Sequence, residues 1–263
     1  METEVKKSGL KITFIVLIGI VLAFVIYYSI MSMLSPVRKL DEIKNEFVGK
    51  ASEKNESEQQ ILKDSTYLKL LKEKAFLQSR LVMAETDSIY LSINLADSSI
   101  NIEISGVVVH KARINSINIS KILSGSDYSI LSMLSTPFTI SRSIATIKKE
   151  PVMLKMAPKD TSEYKPDIMP DTSIAEPVNY ILEVNRGIRI YVYQQEKTKF
   201  VDRMSQFKFD IKDRITDTWS SLKSIAVLKV PEYHPYIRIK LPRTDAKIIY
   251  RAIPKNGQIA VFT

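Results

Sequence analysis

The chain has 263 residues, no cysteine, a formal net charge of +9, a hydrophobic fraction of 45% and a charged fraction of 25%. Those fractions are ordinary for a folded chain, and the missing cysteine excludes any thiolate nucleophile. The basic residues are spread over the whole length and mixed with acids, with no basic block interleaved with aromatics. Nucleic acid is therefore not an expected partner, and the charge fits proximity to an anionic membrane or polymer better.

Ile12 to Val37 carries no charge, and Ile12 to Leu34 is strongly apolar. About 20 apolar helical residues cross a bilayer's hydrocarbon core, so this run suffices for a single span. A cleaved signal peptide is the competing reading. It needs a shorter apolar region and a small-x-small site, and Ser29, Ser32 and Ser35 give only an imperfect one. The length favours an uncleaved anchor over residues 1–37. Lys6, Lys7 and Lys11 precede the span and Arg38, Lys39 and Lys44 follow it, so flanking charge leaves orientation open.

Leu40 to Glu58 is polar and reads as a linker or an exposed helix. From Glu58 to Glu85 the apolar residues take helical spacing. Ile61, Leu68, Leu71, Ala75 and Val82 fall on one side, and Leu70, Leu77, Leu81 and Ala84 on the side adjoining it. So wide an apolar face needs a partner. Packing on the chain's own C-terminal domain is one solution, and a short coiled coil making a homodimer is another. Asp64, Gln78 and Glu85 interrupt the alternate heptad positions, which excludes a long zipper. Residues 38–85 are read as linker and helical stalk.

At Thr86-Asp87-Ser88 the period drops to two. Ile89, Leu91, Ile93 and Leu95 alternate, Asp97-Ser98-Ser99 turns, and Ile100, Ile102 and Ile104 alternate again. Ser105-Gly106 makes a second turn before Val107 to His110, and Ile114, Ile117 and Ile119 follow. This is a β-meander. His110 has no second ligand near it in sequence, so it reads as an ordinary strand histidine rather than a metal site. Ile122 to Leu134 is a short helix or loop. Ser135-Thr136-Pro137 turns into a strand. Pro158 to Pro177, with four prolines, reads as a surface loop or lid.

Tyr180, Leu182 and Val184 alternate, Asn185-Arg186-Gly187 turns, and Ile188, Ile190 and Val192 resume the alternation. Phe207, Phe209 and Ile211 also alternate, and Asp217 to Ile225 suggests a short helix. Trp219, the one tryptophan, is expected in the core, as tryptophan is on average. Near the C-terminus, Tyr236, Ile237, Ile239 and Leu241 are interleaved with Arg238 and Lys240, the pattern of a half-buried strand. Pro242 stops it. Thr244 is a fair N-cap for a helix with Ala246, Ile249 and Tyr250 on one face, ended by Pro254. Gln258 to Thr263 forms a last strand.

This C-terminal stretch resembles the signature of the L,D-transpeptidases, enzymes that cross-link the cell wall. Their Ser-His-Gly-Cys-x-Arg run matches Tyr233-His234-Pro235-Tyr236-Ile237-Arg238. His234 and Arg238 agree with it, but Tyr236 stands where the family has its nucleophilic cysteine and Pro235 where it has glycine. The Asp245-Ala246-x-x-x-Tyr250 helix and the last strand follow in the family's order. Thr136-Pro137 looks like part of the family's Thr-Pro-x-Gly turn, with Thr139 at the glycine. Gly187-Ile188-Arg189-Ile190-Tyr191 looks like its Gly-Ile-x-Ile-His run, with Tyr191 for the cleft histidine.

The resemblance implies an extracytoplasmic domain over residues 86–263 that has lost its chemistry. A tyrosine hydroxyl, of reference pKa about 10 against about 8.5 for cysteine, ionises roughly 30-fold less near neutrality. Proline has no N–H to give an oxyanion hole, and losing one such donor costs about 100- to 1000-fold in rate. Tyr191 does not titrate near neutrality as a histidine does. The expected class is thus α+β: a transmembrane helix, a helical stalk and a β-rich transpeptidase-like domain, with no enzymatic activity, no cofactor and no metal. Tyr191, His234, Pro235, Tyr236 and Arg238 are its degenerate active-site positions. Peptidoglycan or other envelope proteins are the implied partners, at the cytoplasmic membrane with the C-terminal domain outside. A structural subunit of a membrane complex is one alternative. A divergent transpeptidase or hydrolase is another, but Asp97, Ser98, Ser99, His110 and His234 have no spacing that supports it.

Overall fold

The computed structural model describes residues 2–48, 65–125, 127–149, 176–196 and 200–263, with side chains in the first stretch from Phe14 to Phe47. Residues 49–64 lie outside the described residues, and so does the Pro-rich run up to residue 175. The chain divides into two compact units, residues 1–46 with 212–233, and residues 47–211 with 234–263. Its class is mixed α+β, with one long apolar N-terminal helix and a large β-sheet.

The first unit contains most of helix α1 (Glu2–Val48). The helix does not stop where the apolar run ends. It passes through Pro36 and continues to Val48, so part of the polar stretch read as a linker or an exposed helix is helical. Apolar side chains from Phe14 to Leu34 are mostly exposed, so this is no core helix of a soluble fold. It is long and apolar enough to cross a membrane.

The second unit holds helix α2 (Ser65–Ala84), strands β1 (Ile89–Asn94), β2 (Ser99–Ile104), β3 (Val107–Arg113) and β4 (Ser116–Ile119), and helix α3 (Tyr128–Leu134). Then come β5 (Phe138–Ala145), β6 (Asn179–Val184) and β7 (Arg189–Gln194). Helix α4 (Phe200–Ala226) begins in this unit and ends in the first. Strand β8 (Tyr236–Leu241), helix α5 (Arg243–Ala252) and β9 (Gln258–Phe262) complete it.

The nine strands run in the order β3-β2-β1-β9-β5-β6-β7-β8-β4. Strand β5 joins two halves: Phe138 and Thr139 pair with β9, and the rest pairs with β6. The Ser105-Gly106 turn has φ of +47° and +84°, a conformation with two positive φ values that matches hairpin twist and suits glycine at its second place.

The alternation of β1 predicts a half-buried strand, yet Tyr90 and Ser92 are buried as well as Leu91 and Ile93. Helix α2 is the reason. Phe76 and Met83 pack with Tyr90, Ala260 and Phe262, covering the face that its polar residues would leave to water. The helix read as the end of a stalk thus lies against the sheet. Ala75, Phe76, Ser79 and Met83 are its buried residues, whereas Leu70, Leu77, Leu81 and Val82 are exposed.

A buried polar network closes this contact. Glu103, fully inaccessible, accepts from Arg80 Nη2 at 2.9 Å and from the hydroxyl of Ser92. Tyr90 Oη accepts from Gly106 N–H at 3.0 Å. Burial, then the nearby Glu103 carboxylate, raises the Tyr90 pKa. On the far half of the sheet, Ile190, Val192, Ile237, Ile239 and Leu241 face the core with Ala246, Ile249 and Tyr250 of α5. Tyr180 is fully buried there, with its ring 4.9 Å from that of Tyr250.

Three sequence expectations are corrected. Phe200 to Ala226 is one continuous helix rather than a strand and a short helix, because the apparent alternation of 207, 209 and 211 is also compatible with a helix that exposes Phe207 and Ile211. Trp219 is 72% exposed, not in the core. Helix α5 starts at Arg243 directly after Pro242, with no side-chain cap, so Thr244 lies inside the helix instead of capping it.

Candidate functional site

Of the five positions singled out by the motif, Tyr191, Tyr236 and Arg238 meet on one face of the β7–β8 pair, and His234 and Pro235 immediately precede β8. The strands are parallel, with Tyr191 opposite Arg238 and Arg189 opposite Tyr236. In β8 the even-numbered residues lie on one face and Ile237, Ile239 and Leu241 go to the core, so Tyr236 and Arg238 share a face with Tyr191.

On that face the rings of Tyr191 and Tyr236 stand edge to face, with centroids 6.5 Å apart. The Arg238 guanidinium lies 5.1 Å from the first centroid and 4.6 Å from the second. A guanidinium so placed is attracted by the electron-rich ring faces. Among the described residues Arg238 Nε has no hydrogen-bond partner. Tyr193 stacks on Tyr191 at 6.3 Å and donates its hydroxyl hydrogen to Asp210 Oδ1 at 2.8 Å. Burial, then that bond to Asp210, pushes the Tyr193 pKa up. Phe209 and Ile181 pack against the same rings. Tyr191 is only 7% exposed. Tyr191 is thus buried among side chains, while Tyr236 is half-buried.

The backbone here is also occupied. Tyr236 N–H donates to Ser120 Oγ at 3.2 Å, and Tyr236 O accepts from Ser120 N–H at 2.9 Å. Pro235 has no N–H, and its carbonyl accepts from Arg189 N–H at 2.9 Å. Neither position offers a free donor for an oxyanion. His234 Nδ1 is 3.0 Å from Gly187 O. A carbonyl oxygen only accepts, so the proton sits on Nδ1. This bond ties the segment before β8 to the turn before β7.

Ser120 was not apparent from the sequence, because nothing in Asn118-Ile119-Ser120 marks it as a neighbour of Tyr236. It is buried, and its hydroxyl accepts from the Tyr236 N–H. The residues weighed for other chemistry are not assembled. Asp97, Ser98 and Ser99 belong to the β1–β2 hairpin, where Asp97 accepts from Asn94 Nδ2 at 2.7 Å. His110 is on edge strand β3, with its Nε2 3.2 Å from Asp245 Oδ1. His234 precedes β8, toward the other end of the strand order. Among the described residues no group of three or more His, Asp or Glu is placed to hold a metal.

Exposed apolar surface lies elsewhere in the chain. Leu70, Leu77 and Leu81 of α2 line a groove of about 600 Å³ with Tyr90 and Gly106. Edge strand β3 exposes three consecutive valines, Val107, Val108 and Val109. Helix α4 exposes Phe200, Met204, Phe207, Ile211, Ile215 and Trp219, which recur every three or four residues along one face. No protein-family model, curated protein or solved structure matches the chain.

Proposed function

We propose that the chain is a membrane-anchored, non-enzymatic envelope protein whose transpeptidase-like domain serves as a scaffold. One observation carries this reading: Tyr191, Arg238 and Tyr236 pack on one another at the motif positions, where the resembled family has its ionisable cleft groups. The occupied amide of Tyr236 and the imide nitrogen of Pro235 support it further. Scaffold use is supported by the apolar residues left exposed on α2, β3 and α4, since contiguous apolar surface of this kind marks interaction sites. The apolar run of α1 supplies the single span, with the domain on the extracytoplasmic side.

Two measurements test this. The full chain in detergent is incubated with cell-wall tetrapeptide substrate, and no cross-linked product is expected. Product that forms and is lost in Tyr236→Ala overturns the reading. A photo-crosslinking residue at Leu77 in intact cells should yield adducts with envelope proteins or with a second copy of the chain. Absence of adducts, together with retention on insoluble peptidoglycan at low salt, would make the protein a wall binder instead.

A further inference from the structure

The end of helix α4 is built in a way the fold alone does not explain. Leu228 N–H donates to Ile225 O, and Lys229 N–H donates to Ser224 O, both at 2.9 Å. This paired closure requires a left-handed residue at 228, where φ is +56°. Glycine takes that conformation freely, while a side chain resists it. Here the position holds a branched apolar residue that is 76% exposed, and Val227 before it is 62% exposed. At that exposure the Leu228 side chain gains little packing from the described residues to offset its strain. Contact with something outside the chain would offset it.

The same unit fixes this turn along α1. Ser35 Oγ donates to Pro231 O at 2.6 Å, three residues beyond Leu228. Ser35 is near the end of the uncharged run, which closes at Val37 and is followed by Arg38 and Lys39. The turn is therefore tied to the point where a spanning helix would leave the hydrocarbon and meet headgroups. A cleft of about 240 Å³ at this joint includes Ser35, Arg38, Lys39, Glu42, Lys229 and Glu232 in its lining, with cations outnumbering acids. Arg38 and Lys39 both reach Glu42, at 3.5 and 3.1 Å.

We propose that Val227 and Leu228 insert into the bilayer surface beside α1, making a second membrane contact in addition to the span. Arg38, Lys39 and Lys229 lie next to it, where anionic headgroups favour cations. Apolar residues flanked by lysine suit this depth, since their chains enter the acyl boundary while the ammonium remains with the phosphates. The inference rests on the reading that α1 crosses a bilayer, and the test separates the two.

The chain has no cysteine, so Leu228→Cys and Val227→Cys each accept a single environment-sensitive fluorophore without background labelling. The labelled full chain is reconstituted into vesicles of phosphatidylethanolamine and phosphatidylglycerol. Alkaline carbonate extraction is done first. A chain released by carbonate does not span, and both the anchor and this inference fall. For a chain that stays embedded, the expected result is blue-shifted emission, quenching by headgroup-proximal nitroxide lipid, and loss of quenching by aqueous iodide. Lipid quenching at either position supports the contact. Iodide access without lipid quenching at both positions overturns it while leaving the anchor intact.

Discussion

Arg80 Nε and Nη2 donate to the same oxygen of Glu103, at 3.1 and 2.9 Å. The carboxylate is fully buried and the guanidinium is partly exposed. Breaking such a pair from one side leaves a buried charge without its counter-ion. Arg80→Met is expected to lower unfolding free energy by about 3 kcal/mol. Arg80→Met with Glu103→Met should recover most of that loss, because an apolar pair of similar volume removes the stranded charge. Urea denaturation of both variants checks the order. Equal destabilisation in the two would show that the pair does not carry the effect.

Tyr180 is fully buried, and its hydroxyl has no hydrogen-bond partner among the described residues. A buried polar group left unpaired costs about 1–3 kcal/mol. Tyr180→Phe keeps the ring packing and removes that cost, so its midpoint in denaturant should rise, by about 1 kcal/mol of stability. A fall of similar size would mean that the hydroxyl is satisfied in solution.

Burial raises the pKa of Tyr90, Tyr180 and Tyr193, with neighbouring groups as smaller causes. For an acid whose folded pKa lies above its unfolded value, the unfolded chain loses its proton first. The stability these groups contribute is whole below pH about 10 and is lost as pH rises beyond it. Of the twelve tyrosines, these three should ionise only together with unfolding. Tyrosinate absorbance followed beside circular dichroism checks this; early, non-cooperative ionisation of all twelve would contradict it.

Trp219 is exposed, so Trp219→Ala in detergent should change stability by no more than about 0.5 kcal/mol. Truncating the buried Phe138 to alanine should cost about 3–5 kcal/mol under the same conditions. Thermal melts of the two variants provide the comparison.

Leu228→Gly relieves the left-handed strain but adds backbone freedom to the unfolded chain. Removing about 1–2 kcal/mol of strain against about 0.5–1 of added entropy predicts a gain near 0.5 kcal/mol in detergent. Destabilisation instead would mean that the leucine side chain packs within the fold.

Much of the secondary structure was legible in the sequence because alternation and helical spacing are local. The β-meander, the strand and helix after Glu232, and the apolar run at the N-terminus all follow from the next few residues alone. The contact of Tyr191 with Tyr236 and Arg238 joins residues far apart in the sequence. No local pattern says that residues 191 and 236 lie on adjacent strands.

What the tertiary structure alone decided concerns second neighbours. That β1 is buried on both faces depends on α2 lying over Tyr90 and Ser92. That Trp219 is exposed depends on the whole of residues 200–226 being one helix with an apolar face left uncovered. That Tyr191 is buried depends on Tyr193 and Phe209 packing beside it. Local sequence sets which backbone form each segment prefers and which side is apolar. Whether an apolar side meets a partner or solvent is a property of the packed chain, since burial energy depends on what arrives from elsewhere in the sequence.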